Sequence, residues 1–413
     1  MIRRAALYLA LAAAFGLDGG AGAQESPPKH PRYDFRVDAR IVPTERAAHV
    51  TLELGKGAEH VHRLRFRVDP QRQLLFRGDG EVKTEGAHVT WTPPRTGGKL
   101  TYVFRIDHLR DARRYDARCA KTWTIFRGED LVPPARALVE DGARSRTRLR
   151  VRLPEGWALA TPYTKLRSGE YRVAHRRRGL SRPTGWMIAG VLGVVREEVS
   201  GVRVAIAGPK NMDVRRQDML ALLRWTLPTL RQVLTELPER LLIVSASDPM
   251  WRGGLSGPDS LFIHAHRPLI TEHGPSPLLH EVMHTALGLR PGNDGDWAIE
   301  GLAQYYALQL LGRSGTISAE RLERDYEFQA ERGKEAEHLR SKSVTGAGTS
   351  RAVTVLRALD GKIREATQEK KSLDDVLRIL VAEGGVLTTE RVQKTSEVVS
   401  GQNLADFFKT EVP

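Results

Sequence analysis

In the stretch Leu279-His280-Glu281-Val282-Met283-His284 two imidazoles stand four residues apart, and Trp297-Ala298-Ile299-Glu300-Gly301 follows across a short loop. On a helix, side chains at i and i+4 lie on one face about one turn apart, close enough for His280 and His284 to reach a single ion. The flanking residues agree with a helix here. Ser276 is placed to act as N-cap, Pro277 suits the first helical position, and Gly288 followed by Pro291 marks a stop, which predicts a helix over 277–287. Asp296 is placed to cap a second helix running from Trp297 to Leu311, ahead of Gly312. His284 then lies about one turn before the loop and Glu300 about one turn after it, so a helix hairpin brings the three side chains together. Gly301 and Ala303 are small, and are expected to let the second helix approach the first closely.

Two imidazoles and a carboxylate suit Zn2+, and three protein ligands leave a fourth position for water, the arrangement of a catalytic rather than a bracing ion. Glu281, one step round the helix, is free to act on that water as general base. Its alternative role is to orient a ligand. Asp294 and Asp296 are read as capping residues of the loop, with support of a ligand histidine's second nitrogen as the alternative. A rival pair, His264 and His266, falls on one face of a strand expected over 260–266, where His273 in a loop is the nearest third donor.

With these residues in place, HEVMH followed by WAIEGLAQYY resembles the gluzincins, zinc peptidases whose HExxH is completed by a Glu from a following helix, and in particular the glycyl aminopeptidase family and its larger aminopeptidase relatives. The likeness covers roughly residues 120–380. Upstream it rests on Gly253-Gly254-Leu255 and Ser260, similar to the edge strand that binds substrate in that family; downstream it rests on Ser350-Arg351-Ala352-Val353 through Lys371-Ser372-Leu373-Asp374-Asp375. The resemblance implies an α+β molecule with an antiparallel β-rich N-terminal domain, a thermolysin-like zinc catalytic domain and a C-terminal α-helical unit. It implies Zn2+ as cofactor and a peptide or protein as substrate, with Gly253, Gly254, Ser256 and Asp259 beside it. Three departures stand out. The gap from His284 to Glu300 is shorter than is usual, which calls for a tight loop. Ser256 stands where the family has the Glu that holds a substrate's amino terminus, so efficient aminopeptidase action is not expected, and Asp259 is the nearest substitute acid. The family's oxyanion tyrosine would fall near Ala347 or Gly348, which leaves Tyr326 and His338 as candidate oxyanion donors and Tyr305 and Tyr306 as packing residues. A catalytically weakened zinc protein acting as an envelope binding or assembly factor is therefore the alternative to a working zinc metallopeptidase.

The ends and the composition bound the rest. Arg3 and Arg4, the apolar run from Ala5 to Leu17 and then Ala21-Gly22-Ala23 have the three regions of a secretory signal cleaved after Ala23, so a periplasmic or secreted protein is expected. The apolar run is too short to span a bilayer, and no later segment approaches the length, so no transmembrane segment is expected. The single cysteine, Cys119, cannot close an internal disulfide. A formal charge of +14 makes anionic cell-envelope surfaces or acidic peptides natural partners. The Arg176-Arg177-Arg178 run is read as a solvated loop, and with no aromatic residues among the basic stretches no nucleic-acid partner is expected. The expected division is a signal peptide over 1–23, a β-rich domain over 24–200, the catalytic domain over 201–315 and the helical domain over 316–413. Alternating segments such as 35–42, 49–54 and 147–153 carry the β expectation, with residues 24–32 as a flexible lead. Helical spacing over 214–234, interrupted by Pro228, then a strand at 240–245 and Ser260–His266 as the edge strand facing substrate, lead to the hairpin. The polar segment 333–350 reads as a loop within an otherwise helical C-terminal unit.

Overall fold

The computed structural model describes residues 30–174 and 179–412. The signal segment, its cleavage point and Arg176-Arg177-Arg178 lie outside these residues. Alternation along Arg32–Val42 puts Tyr33, Phe35, Val37, Ala39 and Ile41 on the buried face, and the same period runs along Ala47–Leu54. These two strands pair antiparallel within a seven-stranded sheet. On its other side Arg32–Val42 pairs with Arg144–Arg152 in parallel, which departs from the all-antiparallel expectation. A parallel neighbour needs a long crossover, and the chain between these strands supplies it while building most of two further sheets, of four and five strands. Phe35, Leu64, Trp91, Phe104 and Phe126 fill the core that these strands share.

A separate five-stranded sheet follows, in the order Leu192–Val199, Val202–Pro209, Arg240–Ala246, Ser260–His264, Gly254–Gly257. Its two inner pairings are parallel and its two outer ones antiparallel. Ser260–His264 is therefore an inner strand and Gly254–Gly257 the edge, a correction to the expectation. Leu261, Phe262 and Ile263 are consecutive apolar residues buried on both faces, the signature of an inner strand, whereas the short Gly-Leu-Ser-Gly segment stays half-buried. The helix Arg216–Val233 continues through Pro228, because its buried stripe of Leu220, Leu223, Leu227 and Leu230 is held on both sides of the proline.

The C-terminal part holds the helices Ala319–Gly333, Ala347–Ala366, Leu373–Glu383, Thr389–Ser400 and Ala405–Glu411. Val386–Leu387, a short strand, is the exception to the helical expectation. Residues 334–346 are non-helical, and Arg351 fastens them by donating to the carbonyls of Ala336 and Glu337 at 2.7 and 3.1 Å. The molecule is thus α+β, with β-sheets toward the N-terminus and helices toward the C-terminus. Among the described residues no helix is long and apolar enough to cross a membrane.

Candidate metal centre

The HExxH segment forms the helix Pro277–Leu287. The Ser276 hydroxyl accepts from the Leu279 N–H at 3.2 Å, Pro277 occupies the first turn, and Gly288 takes the left-handed conformation that ends it. The second helix, Asp296–Arg313, starts differently from the expectation: Asp296 is not its cap but its first residue, and its Oδ2 accepts the Val344 N–H at 2.6 Å. Asp294 contributes its carbonyl, which accepts from the Thr389 hydroxyl at 2.8 Å, while that same hydroxyl accepts from Trp297 Nε1 at 3.0 Å.

The connecting loop is tight for a reason the residues show. Arg290–Pro291 pairs with Val386–Leu387, and a Cβ added at Gly295 would stand 1.9 Å from the Leu387 carbonyl oxygen. At Gly292 it would stand 2.8 Å from the Thr388 side chain. Gly301 serves a different neighbour from the one expected: a Cβ there would meet Ala352 of the helix Ala347–Ala366 at 2.7 Å, so its smallness admits that helix rather than Pro277–Leu287.

The hairpin places His280 Nε2 3.4 Å from Glu300 Oε2, His284 Nε2 3.4 Å from Glu300 Oε1, and the two Nε2 atoms 3.0 Å apart. Ligand atoms on a tetrahedral zinc with bonds of about 2.0–2.1 Å stand about 3.3–3.4 Å from one another, so these three donors have the spacing of a zinc face. The His280 Nδ1–H donates to Gln304 Oε1 at 3.1 Å, which fixes the tautomer and leaves the Nε2 lone pair for an ion. Gln304, one helical turn beyond Glu300 on the same face, was not singled out from the sequence, although the i+4 spacing was there to read.

Burial would raise the Glu300 carboxyl, but hydrogen bonds and charge from His280 and His284 outweigh it and bring the group down to about 2. Glu281 goes the other way. Burial, aided by the nearby Glu300, pushes its carboxyl up to about 7 against the pull of His280 and the Ser256 backbone N–H. Its seat depends on Gly254, where a Cβ would stand 2.6 Å from both Cγ and Oε1 of Glu281.

Both Glu281 and the three candidate ligands line a cleft of about 890 Å³, as do Gly253, Gly254 and Ser256. Other expected site residues lie elsewhere. Asp259 sits exposed in the turn after Gly254–Gly257 with a left-handed φ of 51°, away from the cleft lining. Tyr326 is buried among helices, its hydroxyl accepting from Gln309 Nε2 at 2.7 Å, and His338 is exposed in the 334–346 segment. Neither lines the cleft, because the helix carrying Tyr326 turns that residue toward Tyr305 and Arg357. Tyr305 and Tyr306 are buried and donate to Asp360 and Asp374 at 3.2 and 2.9 Å.

The rival histidine pair gathers Asp248, not His273, as its third donor. The Arg252 guanidinium already engages both carboxylate oxygens of Asp248, and His264 Nδ1 accepts the His266 N–H at 3.3 Å. These contacts engage the Asp248 carboxylate and His264 Nδ1, while His264 Nε2 is buried without a hydrogen-bond partner among the described residues.

No family model matches the sequence, and no curated protein matches it either. Solved structures do match. An aminopeptidase N family protein from Idiomarina loihiensis superposes with a TM-score of 0.69 at 15% identity, over 92% of this chain and 76% of that one. The chain shares its fold. An M1 zinc metallopeptidase mutant from Deinococcus radiodurans superposes with a TM-score of 0.58 at 16% identity, over 93% of this chain and 94% of the other. At such identity the likeness concerns the fold, and what the site does is argued from the side chains above.

Proposed function

We propose that this protein is an exported zinc-dependent metallopeptidase, with a thermolysin-like catalytic unit between a β-rich N-terminal part and a helical C-terminal part. The observation that carries the reading is the convergence of His280, His284 and Glu300 at zinc-ligand spacing beside a buried carboxylate, Glu281, in one open cleft. Both similar structures, an aminopeptidase N family protein and an M1 zinc metallopeptidase, support it. Bound zinc supplies a water acidified toward neutrality and polarises the scissile carbonyl. The chain's own groups do the rest. Gln304 holds the His280 ring, Glu281 takes the proton from the attacking water, and the same carboxyl hands it to the leaving amine as the C–N bond breaks, leaving a carboxylate and a free amine. Burial favours the protonated form of this carboxyl, the form that delivers the proton to the amine. Gly253, Gly254 and Ser256 border the place where the peptide would lie.

One observation favours a second reading, a peptidase-like zinc protein with little turnover that serves as a binding or assembly factor in the envelope. Among the described residues no tyrosine lines the cleft to stabilise an oxyanion. Assaying zinc-loaded protein against blocked and unblocked peptides separates the two: zinc-dependent cleavage that disappears in Glu281→Gln establishes the peptidase, whereas binding without cleavage in the parent protein establishes the factor.

A further inference from the structure

The cleft's charges are unevenly assigned. Its acidic lining residues are Glu281, Asp296 and Glu300, and each is committed: Glu281 to the Ser256 N–H and to proton transfer, Asp296 to the Val344 N–H at 2.6 Å, Glu300 to the two imidazoles. No lining carboxylate is left over for a substrate ammonium, and Ser256 offers only a neutral hydroxyl. Arg110, Arg267 and Arg332 line the same cleft. Arg110 Cζ lies over the Trp251 ring, 5.0 Å from its centroid, and its Nη1 makes only a long ion pair with Asp116 at 3.9 Å. Arg267 and Arg332 are exposed, and their guanidinium groups have no ion-pair partner among the described residues.

An arginine held on an aromatic face keeps its fork free for a planar anion, and unpaired guanidinium groups around a concave wall focus positive potential into it. We propose that this cleft selects peptides carrying a carboxylate, either the α-carboxylate or an acidic side chain, which Arg110, Arg267 and Arg332 receive. The inference rests on the peptidase reading and adds the substrate class. It also accounts for the position at Ser256: a site that holds its substrate by a negative charge has no use for a carboxylate that would hold a free amino terminus. Charge-assisted bonds to a carboxylate are about twice as strong as neutral ones, and they weaken with salt where the groups remain solvent-accessible.

The test uses the full zinc-loaded chain carrying Glu281→Gln, so that peptides bind without being consumed, and fluorescence anisotropy with four labelled peptides of one sequence. One is acetylated and amidated with Gln in the middle, the second has Glu there, the third has a free carboxyl terminus, and the fourth a free amino terminus. The second or third should bind about tenfold or more tighter than the first. That gain should shrink as salt rises, and should vanish when Arg110→Gln, Arg267→Gln and Arg332→Gln are added together. The second and third arms tell an acidic side chain from a terminal carboxylate. Equal binding of the neutral and acidic peptides, or tightest binding of the free-amine peptide, would overturn this inference and leave the peptidase reading intact. Binding of none of the four would count against both. Zinc content and circular dichroism matching the parent's report that the arginine variants are folded.

Discussion

Glu281 is the residue whose chemistry can be isolated most cleanly. Glu281→Gln keeps the shape and removes the base, so hydrolysis should fall by on the order of a hundredfold or more with zinc content unchanged. Unaltered turnover would assign the proton transfer to another group. Gly254→Ala reaches the same carboxylate from outside the metal centre. Its Cβ would stand 2.6 Å from Glu281 Oε1, so the side chain must swing away, and a misplacement of that size should lower kcat on the order of a hundredfold while zinc and melting behaviour stay as in the parent. Wild-type kcat in that variant would mean that Glu281 has room the structure does not show. Gln304→Leu deprives the His280 Nδ1–H of its acceptor and should weaken zinc binding about 10- to 100-fold, as read by chelator competition. The histidines and Glu281 were legible in the sequence because a metal motif is a local spacing. Gln304 was legible too but went unread, and the displacement of Tyr326 from the cleft was not, because its helix phase is set by packing against Tyr305 and Arg357.

At the scale of elements, the two-helix hairpin is the unit that builds the centre. Its first helix could be read from Ser276, Pro277 and Gly288, whose effects act within a turn of themselves. Its second could not be bounded in the same way, since the Asp296 carboxylate answers to Val344 and the loop is shaped by Leu387, both distant in sequence. The same is true of the edge strand: whether Ser260–His264 or Gly254–Gly257 lies outermost depends on what pairs beside it. Gly295→Ala tests the loop. A Cβ 1.9 Å from a backbone carbonyl cannot be relieved by a rotamer change, so unfolding should be eased by about 1–3 kcal/mol, in the range of overpacked cores, with zinc affinity reduced as the ligand helix shifts. Denaturation at the parent's midpoint would show that the Val386–Leu387 contact does not fix the loop.

Over the whole molecule, β-rich and helical regions could be told apart from periodicity, because alternation along Arg32–Val42 and helical spacing in the C-terminal part are carried by each segment alone. The parallel partnership of Arg32–Val42 with Arg144–Arg152 could not, since a strand's pattern does not say which way its neighbour runs. The centre also joins elements from far-apart stretches of one continuous core, including Val282, Leu302, Leu356 and Leu387. Zinc that binds the folded chain alone adds about 2.7 kcal/mol at a free concentration 100-fold above its Kd, so chelation should lower the Tm of the parent and leave that of His284→Ala nearly unchanged. The central claim is that His280, His284 and Glu300 together hold a zinc ion, and metal analysis of purified protein beside His284→Ala tests it directly. About one zinc per chain in the parent and little in the variant is the predicted result. Full zinc in His284→Ala would contradict the account and turn attention to Asp248, His264 and His266.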